Sequence, residues 1–223
     1  MNVLIVYAHH EPSSFTSALK NAAYETLSQA GHTVAISDLY GQGFSPVAQK
    51  WDFATMSGKH FNYMLEQKHA ALLEMSFSPD IAGEIDKLKA ADLVMFVAPF
   101  WWNSVPAIMK GWFDRVLAMG FAWDGGKFYE KGLMRGKQAI MVVACGHPSD
   151  YYQPAGQHKA TVTQMLHPIN YGTLAFCGFN VHEPYVALDV LATNENDRAL
   201  ALKDFQFRLE HFVDSPQWLT YFK

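Results

Sequence analysis

Five short apolar runs, separated by stretches of helical periodicity, constrain this chain more than any other feature of its sequence. The runs cover residues 3–8, 33–37, 92–98, 138–144 and 175–182. Continuous apolar strands are typical of parallel sheets, because helices cover both faces of such a sheet. The pattern therefore predicts an α/β fold with a doubly wound, five-stranded parallel sheet and helices on both faces.

The stretches between the runs repeat their apolar residues at helical spacing. The first begins at Ser13 or Ser14, either of which is a suitable N-cap, and it closes at Gly31. Further helices are predicted over residues 81–90, 105–117, 158–166 and 198–213. No repeat or linker divides the sequence, so residues 1–223 are predicted to form a single domain.

Residues 41–79 interrupt this alternation. Glycines and prolines punctuate the segment, and only residues 64–73 have a helical pattern. A long irregular excursion inside a compact domain tends to be functional or to form an interface. We expect residues 41–79 to lie at an interface.

Charge and composition exclude several classes of partner. The net charge is −4, the pI is about 6.2, and no run of Lys or Arg occurs, so neither nucleic acid nor an anionic membrane surface is expected to bind. No apolar stretch approaches the roughly 20 residues of a membrane-spanning helix, and no signal peptide is expected. Cys145 and Cys177 have no disulfide-framework spacing. A soluble protein of the cytoplasm is predicted.

The loop after the first predicted strand is a candidate phosphate site, because ligands of doubly wound sheets bind beyond the carboxyl ends of the strands. It contains neither a dinucleotide nor a triphosphate fingerprint. Ser14 and Thr16 supply hydroxyl donors, the helix behind them supplies unpaired backbone N–H groups, and His9 is a further donor. An ordinary strand-to-helix turn capped by serine fits the same residues.

The loop after the third predicted strand is a candidate site for a flat ring. Three consecutive aromatic residues, Phe100, Trp101 and Trp102, stand between Pro99 and Pro106. Aromatic walls beside backbone amides suit a flat ring with polar edges, such as an isoalloxazine. An aromatic plug over the core explains these residues without a ligand.

The loop after the fourth predicted strand contains Tyr152 and, six residues on, His158. A tyrosine and a histidine that converge there would donate to charge developing on a reduced ring. Cys145 with His147 or His158 is an alternative, as the nucleophile and base of a hydrolase, but a buried strand-end cysteine lacks the lowered pKa which that chemistry needs. No metal is predicted, because no helical spacing brings together the four loop histidines, His9, His10, His147 and His158.

One segment, Lys110-Gly111-Trp112-Phe113 with a proline upstream, is specific to a known group of enzymes. Other segments match the same group: Ala8-His9 with Ser14-Phe15, Ser37-Asp38-Leu39-Tyr40, Ser78-Pro79-Asp80-Ile81, Ala90-Ala91-Asp92-Leu93-Val94, Phe121-Ala122, Tyr129 with Lys131-Gly132, and Phe176-Cys177-Gly178-Phe179. Over essentially its whole length, the chain resembles the NAD(P)H:quinone oxidoreductases of the DT-diaphorase type. The resemblance implies a flavodoxin-like fold and a flavin cofactor.

The resemblance further implies FAD rather than FMN, bound at the interface of a homodimer. The positions that match the family's flavin site are His9, Ser14, Phe15, Thr16 and Ala18 at the phosphates, Pro99, Phe100, Trp101, Trp102 and Asn103 under the ring, and Ala144, Cys145, Gly146 and His147 along its other edge. Asn62 of the partner subunit, with Glu195 and Arg198 near the adenosine, completes the implied site. Tyr152 and His158 match the family's charge-relay pair. The slot shared by nicotinamide and quinone would be lined by Trp102, Trp123, Phe128, Gly146 and Phe176.

The implied activity is a ping-pong reaction in which NADH or NADPH delivers hydride to the flavin and a quinone-type acceptor then takes two electrons. The acceptor is left open by three departures from the family: Gly146-His147 replaces Gly-Gly, and Asn103 after Trp102 and Gly125 in the 121–129 loop stand in place of aromatic residues. The chain stops near Lys223, without the C-terminal extension of vertebrate members, so the choice between NADH and NADPH is open. The alternatives are a flavin-binding regulatory subunit of a potassium efflux system and a nitro- or azo-compound reductase.

Overall fold

The architecture is taken from a computed structural model that describes residues 1–73, 76–192 and 194–214. Its strands are β1 (Asn2–Tyr7), β2 (Thr33–Asp38), β3 (Leu93–Pro99), β4 (Gln138–Ala144), β5 (Asn180–Val181) and β6 (Tyr185–Ala187). They lie in the order β2-β1-β3-β4-β5, with β6 also paired to β4, and all these pairings are parallel. The predicted fold class is confirmed.

The strand predicted over residues 175–182 is wrong over most of its length. A wide, π-helical turn over residues 170–175 runs into a further turn over residues 176–178, where Gly178 adopts a left-handed φ of +97°. Only the two residues of β5 pair with the start of β4, while β6 pairs with its end. The apolar pattern misleads here because Cys177 is buried, and Phe176 partly buried, against loops rather than within the sheet.

The helices are α1 (Phe15–Gln29), α2 (Tyr63–Leu72), α3 (Pro79–Ala90), α4 (Ala107–Val116), α5 (Val162–Met165), α6 (His167–Ile169) and α7 (Glu195–Asp214). Helices α1 and α7 pack on one face of the sheet, and α3 and α4 pack on the other. As predicted, Ser14 is the N-cap of α1, and Gly31 follows its end with φ +83°. The helix predicted over 158–166 is shorter than expected, because a capping box at Thr161 starts it only at Val162. In the described residues, no helix combines the length and apolar character needed to cross a membrane.

The irregular excursion over residues 41–79 is present as predicted, with α2 inside it, and buried charges anchor it to the domain. Arg115 of α4 donates to both carboxylate oxygens of Asp52, at 3.1 and 2.9 Å. The same guanidinium donates to Asp80 Oδ2 at 2.7 Å and to the carbonyl of Ser45 at 2.8 Å. Because the side chains of Arg115 and Asp52 are 2% and 1% exposed, this ion pair ties the excursion to the core of the fold.

Candidate functional site

A cavity of about 500 Å³ opens at the carboxyl ends of β1, β3 and β4. Its walls come from the loops that follow these strands, the start of α1, the loop after β6 and the first turn of α7. Most of the predicted flavin-site residues line it: His9, Ser14, Phe15, Thr16, Pro99, Phe100, Trp101, Ala144, Gly146, His147 and Arg198, together with Tyr152. The loops selected from the sequence therefore meet at one place.

The start of α1 forms an anion-binding end of this cavity. The N–H of Ser17 bonds to Ser14 Oγ and that of Ala18 to the Ser14 carbonyl. Among the described residues, the N–H groups of Phe15 and Thr16 have no such partner, and both residues line the cavity. Unpaired N–H groups at the positive end of a helix dipole favour a phosphate. Ala18, also predicted at the phosphates, lies one turn further along and does not line the cavity.

His9 contributes a neutral donor to the same end. Its Nδ1 accepts the backbone N–H of Glu11 at 3.0 Å. Burial, assisted by the neighbouring His10 ring, lowers the pKa of His9. The ring is therefore neutral near pH 7, and with Nδ1 acting as acceptor its proton lies on Nε2. Nε2 is left as the donor for a ligand.

Arg198 places a positive charge on the opposite wall. Its Nη2 donates to the carbonyl of Val190 at 2.9 Å, whereas its buried Nε has no partner among the described residues. A buried guanidinium donor left unpaired beside a cavity favours an anionic ligand. Glu195, the first residue of α7, is exposed and does not line the cavity.

A strained two-residue turn presents Trp102 to solvent. Trp101 and Ser104 exchange both backbone hydrogen bonds, at 3.1 and 3.0 Å, while Trp102 and Asn103 between them have φ of +51° and +58°. This is the conformation of a type I′ turn, which a tryptophan adopts only at a cost. Trp102 is nevertheless 98% exposed. Strain combined with an exposed indole indicates a loop shaped for a ligand or a partner rather than a plug over the core.

The loop after β4 forms the far wall, and the loop after β6 covers it. A Cβ at Gly146 would lie 2.9 Å from Leu191 Cδ1, so the Leu191 side chain packs directly over Gly146 and would have to shift for a larger residue. The His147 ring stacks on Tyr151, with centroids 4.6 Å apart. His147 thus stands at the cavity with its ring orientation held by a neighbour, where the family pattern has glycine.

Tyr152 and His158 lie face to face. Their ring centroids are 4.9 Å apart with an interplanar angle of 7°, and the His158 backbone N–H bonds to the Tyr151 carbonyl at 3.0 Å. Tyr152 is buried and lines the cavity, and burial, with the Cys145 thiol beside it, raises the pKa of its hydroxyl. Tyr152 therefore stays protonated and available as a donor.

The cysteine and metal alternatives find no support. The Cys145 side chain is buried in the core rather than in the cavity, and burial raises the pKa of both Cys145 and Cys177 to about 12. A thiol with such a pKa is not a nucleophile near neutral pH. Within the described ranges, no group of three or more His, Cys, Asp or Glu side chains is placed to hold a metal ion.

Both thiols are therefore expected to resist alkylation in the native protein. Treatment with iodoacetamide at mildly alkaline pH should leave Cys145 and Cys177 unmodified, whereas both should react after unfolding in guanidinium chloride. Mass spectrometry of tryptic peptides measures the outcome. Rapid native labelling of Cys145 would show a reactive thiolate and reopen the hydrolase alternative.

Three of the predicted slot residues form a separate cluster. Phe176 lies 5.5 Å from Trp123 and stacks at 5.4 Å on Phe128. Trp123 and Phe176 line a second cavity of about 410 Å³ beside α2 and α4, not the cavity that holds Gly146. Asn62, also predicted in the flavin site, caps α2 by accepting the Leu65 N–H at 3.3 Å. Within one chain, these residues do not meet the cavity at the strand ends.

Sequence reasoning missed three residues of the main cavity: Ser13, Val190 and Leu191. Ser13 was considered only as a helix cap, and in the structure it donates to Glu11 Oε1 at 2.8 Å. Val190 and Leu191 lie in the loop after β6. The sequence predicts no strand at β6, because it places the fifth strand at residues 175–182. A strand placed correctly at Tyr185–Ala187 would have pointed to the loop after it.

Comparison with known proteins places the chain in one family of flavodoxin-like fold. A family model described as flavodoxin-like fold matches residues 1–209. The chain is 42% identical to the human ribosyldihydronicotinamide dehydrogenase [quinone], over 93% of this chain and 90% of that protein. It is 40% identical to the rat NAD(P)H dehydrogenase [quinone] 1, over 93% of this chain and 76% of that protein.

Solved structures are consistent with the flavodoxin-like family and the quinone dehydrogenase relatives. A Klebsiella pneumoniae protein with a provisional assignment as a quinone reductase superposes with a TM-score of 0.89 at 36% identity, covering 99% of this chain and 86% of that one. The general stress protein 14 of Treponema denticola, solved in complex with FMN, has a TM-score of 0.67 at 19% identity, covering 95% of this chain and 99% of its own. This second likeness bears on the fold alone.

Proposed function

The chain belongs to the flavodoxin-like NAD(P)H:quinone oxidoreductases, and from that premise we propose that it is an FAD-dependent enzyme that uses NADH or NADPH to reduce quinones by two electrons in a ping-pong reaction. Membership of this family makes the protein an oxidoreductase. The observation that carries the finer proposal is the cavity at the strand ends, which brings together a phosphate end, aromatic walls and Tyr152, on whose ring His158 stacks.

The donors around the cavity support a dinucleotide flavin over a mononucleotide. The start of α1 and His9 suit one phosphate group, and Arg198 stands across the cavity with an unpaired buried Nε. The covering residues Val190 and Leu191 add apolar surface beside Arg198. A second phosphate and an adenosine would use these features, whereas a ligand that ends at its first phosphate would leave them without a role.

In this proposal, Tyr152 and His158 donate to the pyrimidine edge of such a ring. When bound, the flavin supplies the chemistry, accepting hydride from the reduced nicotinamide and passing two electrons to the acceptor. Tyr152 keeps its proton because burial raises its pKa, so its hydroxyl donates to negative charge. The His158 ring stacks on Tyr152 and restricts the orientation of the Tyr152 ring. Donors fixed in advance stabilise developing charge at little reorganisation cost.

We further propose that a second copy of the chain completes the slot. The excursion exposes a set of large apolar side chains, Val47, Trp51, Met64, Leu65 and Leu72. Exposed apolar surface of this extent is typical of an interface. A partner that covered it would bring its own Trp123, Phe128 and Phe176 cluster, with its own Asn62, towards the exposed Trp102. The slot for quinone would then have one wall from each subunit.

Absorbance spectroscopy tests the proposed function. The purified protein should be yellow, should bleach anaerobically on addition of NADH or NADPH, and should regain colour on addition of a quinone. Denaturation should release FAD rather than FMN, and analytical ultracentrifugation should find a dimer. A panel of quinones, nitroarenes and azo dyes then ranks the acceptors. A colourless protein that takes up no added FAD would remove the redox assignment.

A further inference from the structure

A third cavity adjoins the cavity at the strand ends, and the proposed function assigns it no role. It has a volume of about 420 Å³ and lies at the carboxyl ends of β1 and β2, and we call it the β1–β2 cavity. His9 lines both cavities. The Trp101 ring packs against His9 at 5.9 Å and against His10 at 6.1 Å, centroid to centroid. A ligand beside Trp101 can therefore continue past these rings into the β1–β2 cavity.

Lys20 gives the β1–β2 cavity a positive charge without a protein counter-ion. Its Nζ lies 5.3 Å from the centroid of the Tyr7 ring, and in the described part of the chain it forms no ion pair with a carboxylate. The Tyr7 hydroxyl is engaged with Ser17 instead. A lysine ammonium that lines a cavity and lacks an acidic partner suits a phosphate group.

Asp38 stands at the opposite side, at the end of β2. Its Oδ1 accepts the N–H of Gly41 at 2.9 Å, while no hydrogen bond to its Oδ2 is present among the described residues. A carboxylate with one free oxygen accepts hydrogen bonds from a sugar diol and repels a phosphate. An acidic residue at the end of the second strand does this to the adenosine ribose in other dinucleotide-binding sheets.

Two exposed rings provide a place for a base. His10 and Tyr40 meet edge to face, with centroids 5.8 Å apart, and both line the β1–β2 cavity. Flat heteroaromatic bases pack well against such rings. The cavity therefore offers a cation, a free carboxylate oxygen and aromatic surface beside His9 and Trp101 of the cavity at the strand ends.

We propose that the β1–β2 cavity binds the adenosine diphosphate end of the dinucleotide reductant, with Lys20 at the pyrophosphate, Asp38 at the ribose hydroxyls, and His10 and Tyr40 against the adenine. The proposal rests on the proposed function, since it assigns a subsite to its reductant. It carries a specificity: NADH is preferred over NADPH, because the additional 2′-phosphate of NADPH would lie beside the Asp38 carboxylate.

Steady-state kinetics of the FAD-saturated enzyme test the role of Lys20 with two reductants, NADH and dihydronicotinamide riboside, which differ only in the adenosine diphosphate end. Dihydronicotinamide riboside carries the reacting ring but no adenosine diphosphate. Lys20→Gln should raise the KM for NADH by about tenfold or more, because a charge-assisted contact is lost, and should leave the KM for the riboside unchanged. The matched control Lys89→Gln removes a lysine whose only ion pair in the described residues is with Asp86, and it should change neither value.

The specificity is tested by Asp38→Asn, which keeps an oxygen for the Gly41 N–H while removing the charge. The KM for NADPH should fall by about tenfold as the repulsion disappears, and the KM for NADH should rise or stay. Equal changes for NADPH and for the riboside would indicate a general disturbance of the loop and would overturn the assigned role of Asp38.

Binding of ADP to the FAD-loaded enzyme gives a readout independent of turnover. Calorimetry should detect ADP binding to the wild type and to Lys89→Gln, and weaker binding to Lys20→Gln. ADP should compete with NADH and not with the riboside. If ADP does not bind, or if Lys20→Gln affects both reductants equally, the subsite is refuted while the oxidoreductase stands. If FAD-loaded protein oxidises neither reductant, the proposed function falls and the subsite with it.

Discussion

Replacing Arg115 with methionine is expected to lower the free energy of unfolding by about 3–5 kcal/mol. The substitution removes the cationic partner of Asp52, whose side chain is 1% exposed and keeps only neutral donors, the Tyr63 hydroxyl and the Gln49 N–H. It also frees the Asp80 carboxylate and the Ser45 carbonyl, so three parts of the molecule lose one common contact. Urea denaturation followed by tryptophan fluorescence measures the change.

The control is Arg208→Met, which removes an exposed ion pair with Asp204 on α7. Its expected cost is about 1 kcal/mol or less, because exposed pairs are weak. Adding Asp52→Leu to Arg115→Met should recover part of the loss, since the uncompensated buried charge is then gone. A loss for Arg115→Met as small as that for the control would show that Asp52 is not truly isolated from water.

The same network sets an acid dependence. Burial opposes ionisation of Asp80, but hydrogen bonds from Ser78 and Arg115 outweigh it and lower the pKa of this carboxyl. A lowered folded-state pKa contributes stability above the unfolded-state value, and this contribution is lost as the pH falls through the folded-state value. The stability difference between wild type and Arg115→Met should therefore shrink in acid.

Tyr152→Phe and His158→Gln are each expected to raise the barrier for flavin reduction by about 1–4 kcal/mol, which is about fivefold to a thousandfold in rate. Tyr152 is buried at the cavity with its proton retained, so its loss removes a donor rather than a surface group. Phenylalanine keeps the ring that stacks on His158. Anaerobic stopped-flow absorbance with NADH measures the single-turnover rate.

The control for this pair is Tyr151→Phe, which removes a neighbouring hydroxyl while keeping the ring that stacks on His147. Its single-turnover rate should match the wild type. FAD content must also be equal in all variants, since the cavity walls are unchanged. Wild-type rates in both Tyr152→Phe and His158→Gln would exclude the two residues from the mechanism, and a loss of FAD would assign them to binding instead.

Much of the site is predictable from the sequence because of one property of parallel sheets. The carboxyl ends of all their strands lie at the same edge, so residues after β1, β3 and β4 must lie near each other once the strands are recognised. Those three strands are continuous apolar runs, and the structure starts and ends them within about two residues of the prediction. Their loops line the cavity as expected.

The loop after β6 was missed for an equally physical reason. β5 and β6 pair over only two and three residues, which is too short a pattern to distinguish a strand from a buried loop. Phe176 and Cys177 are apolar, so the sequence around them has the pattern of a strand although they lie in a turn. Leu191 covers Gly146 only because the chain returns there from the sheet edge. Nothing local to residues 188–192 signals that contact.

By itself, the sequence determined the fold class, the start of α1 at Ser13 or Ser14 and which three loops reach the site, because these follow from hydrophobic period, cap residues and strand direction. Only the tertiary structure decided that Arg115 holds Asp52 and Asp80, that Tyr152 and His158 stack, and that Trp123, Phe128 and Phe176 stand apart from Gly146. These are contacts between residues distant in the chain. Their geometry depends on how helices and loops pack over the sheet, and no local pattern encodes that packing.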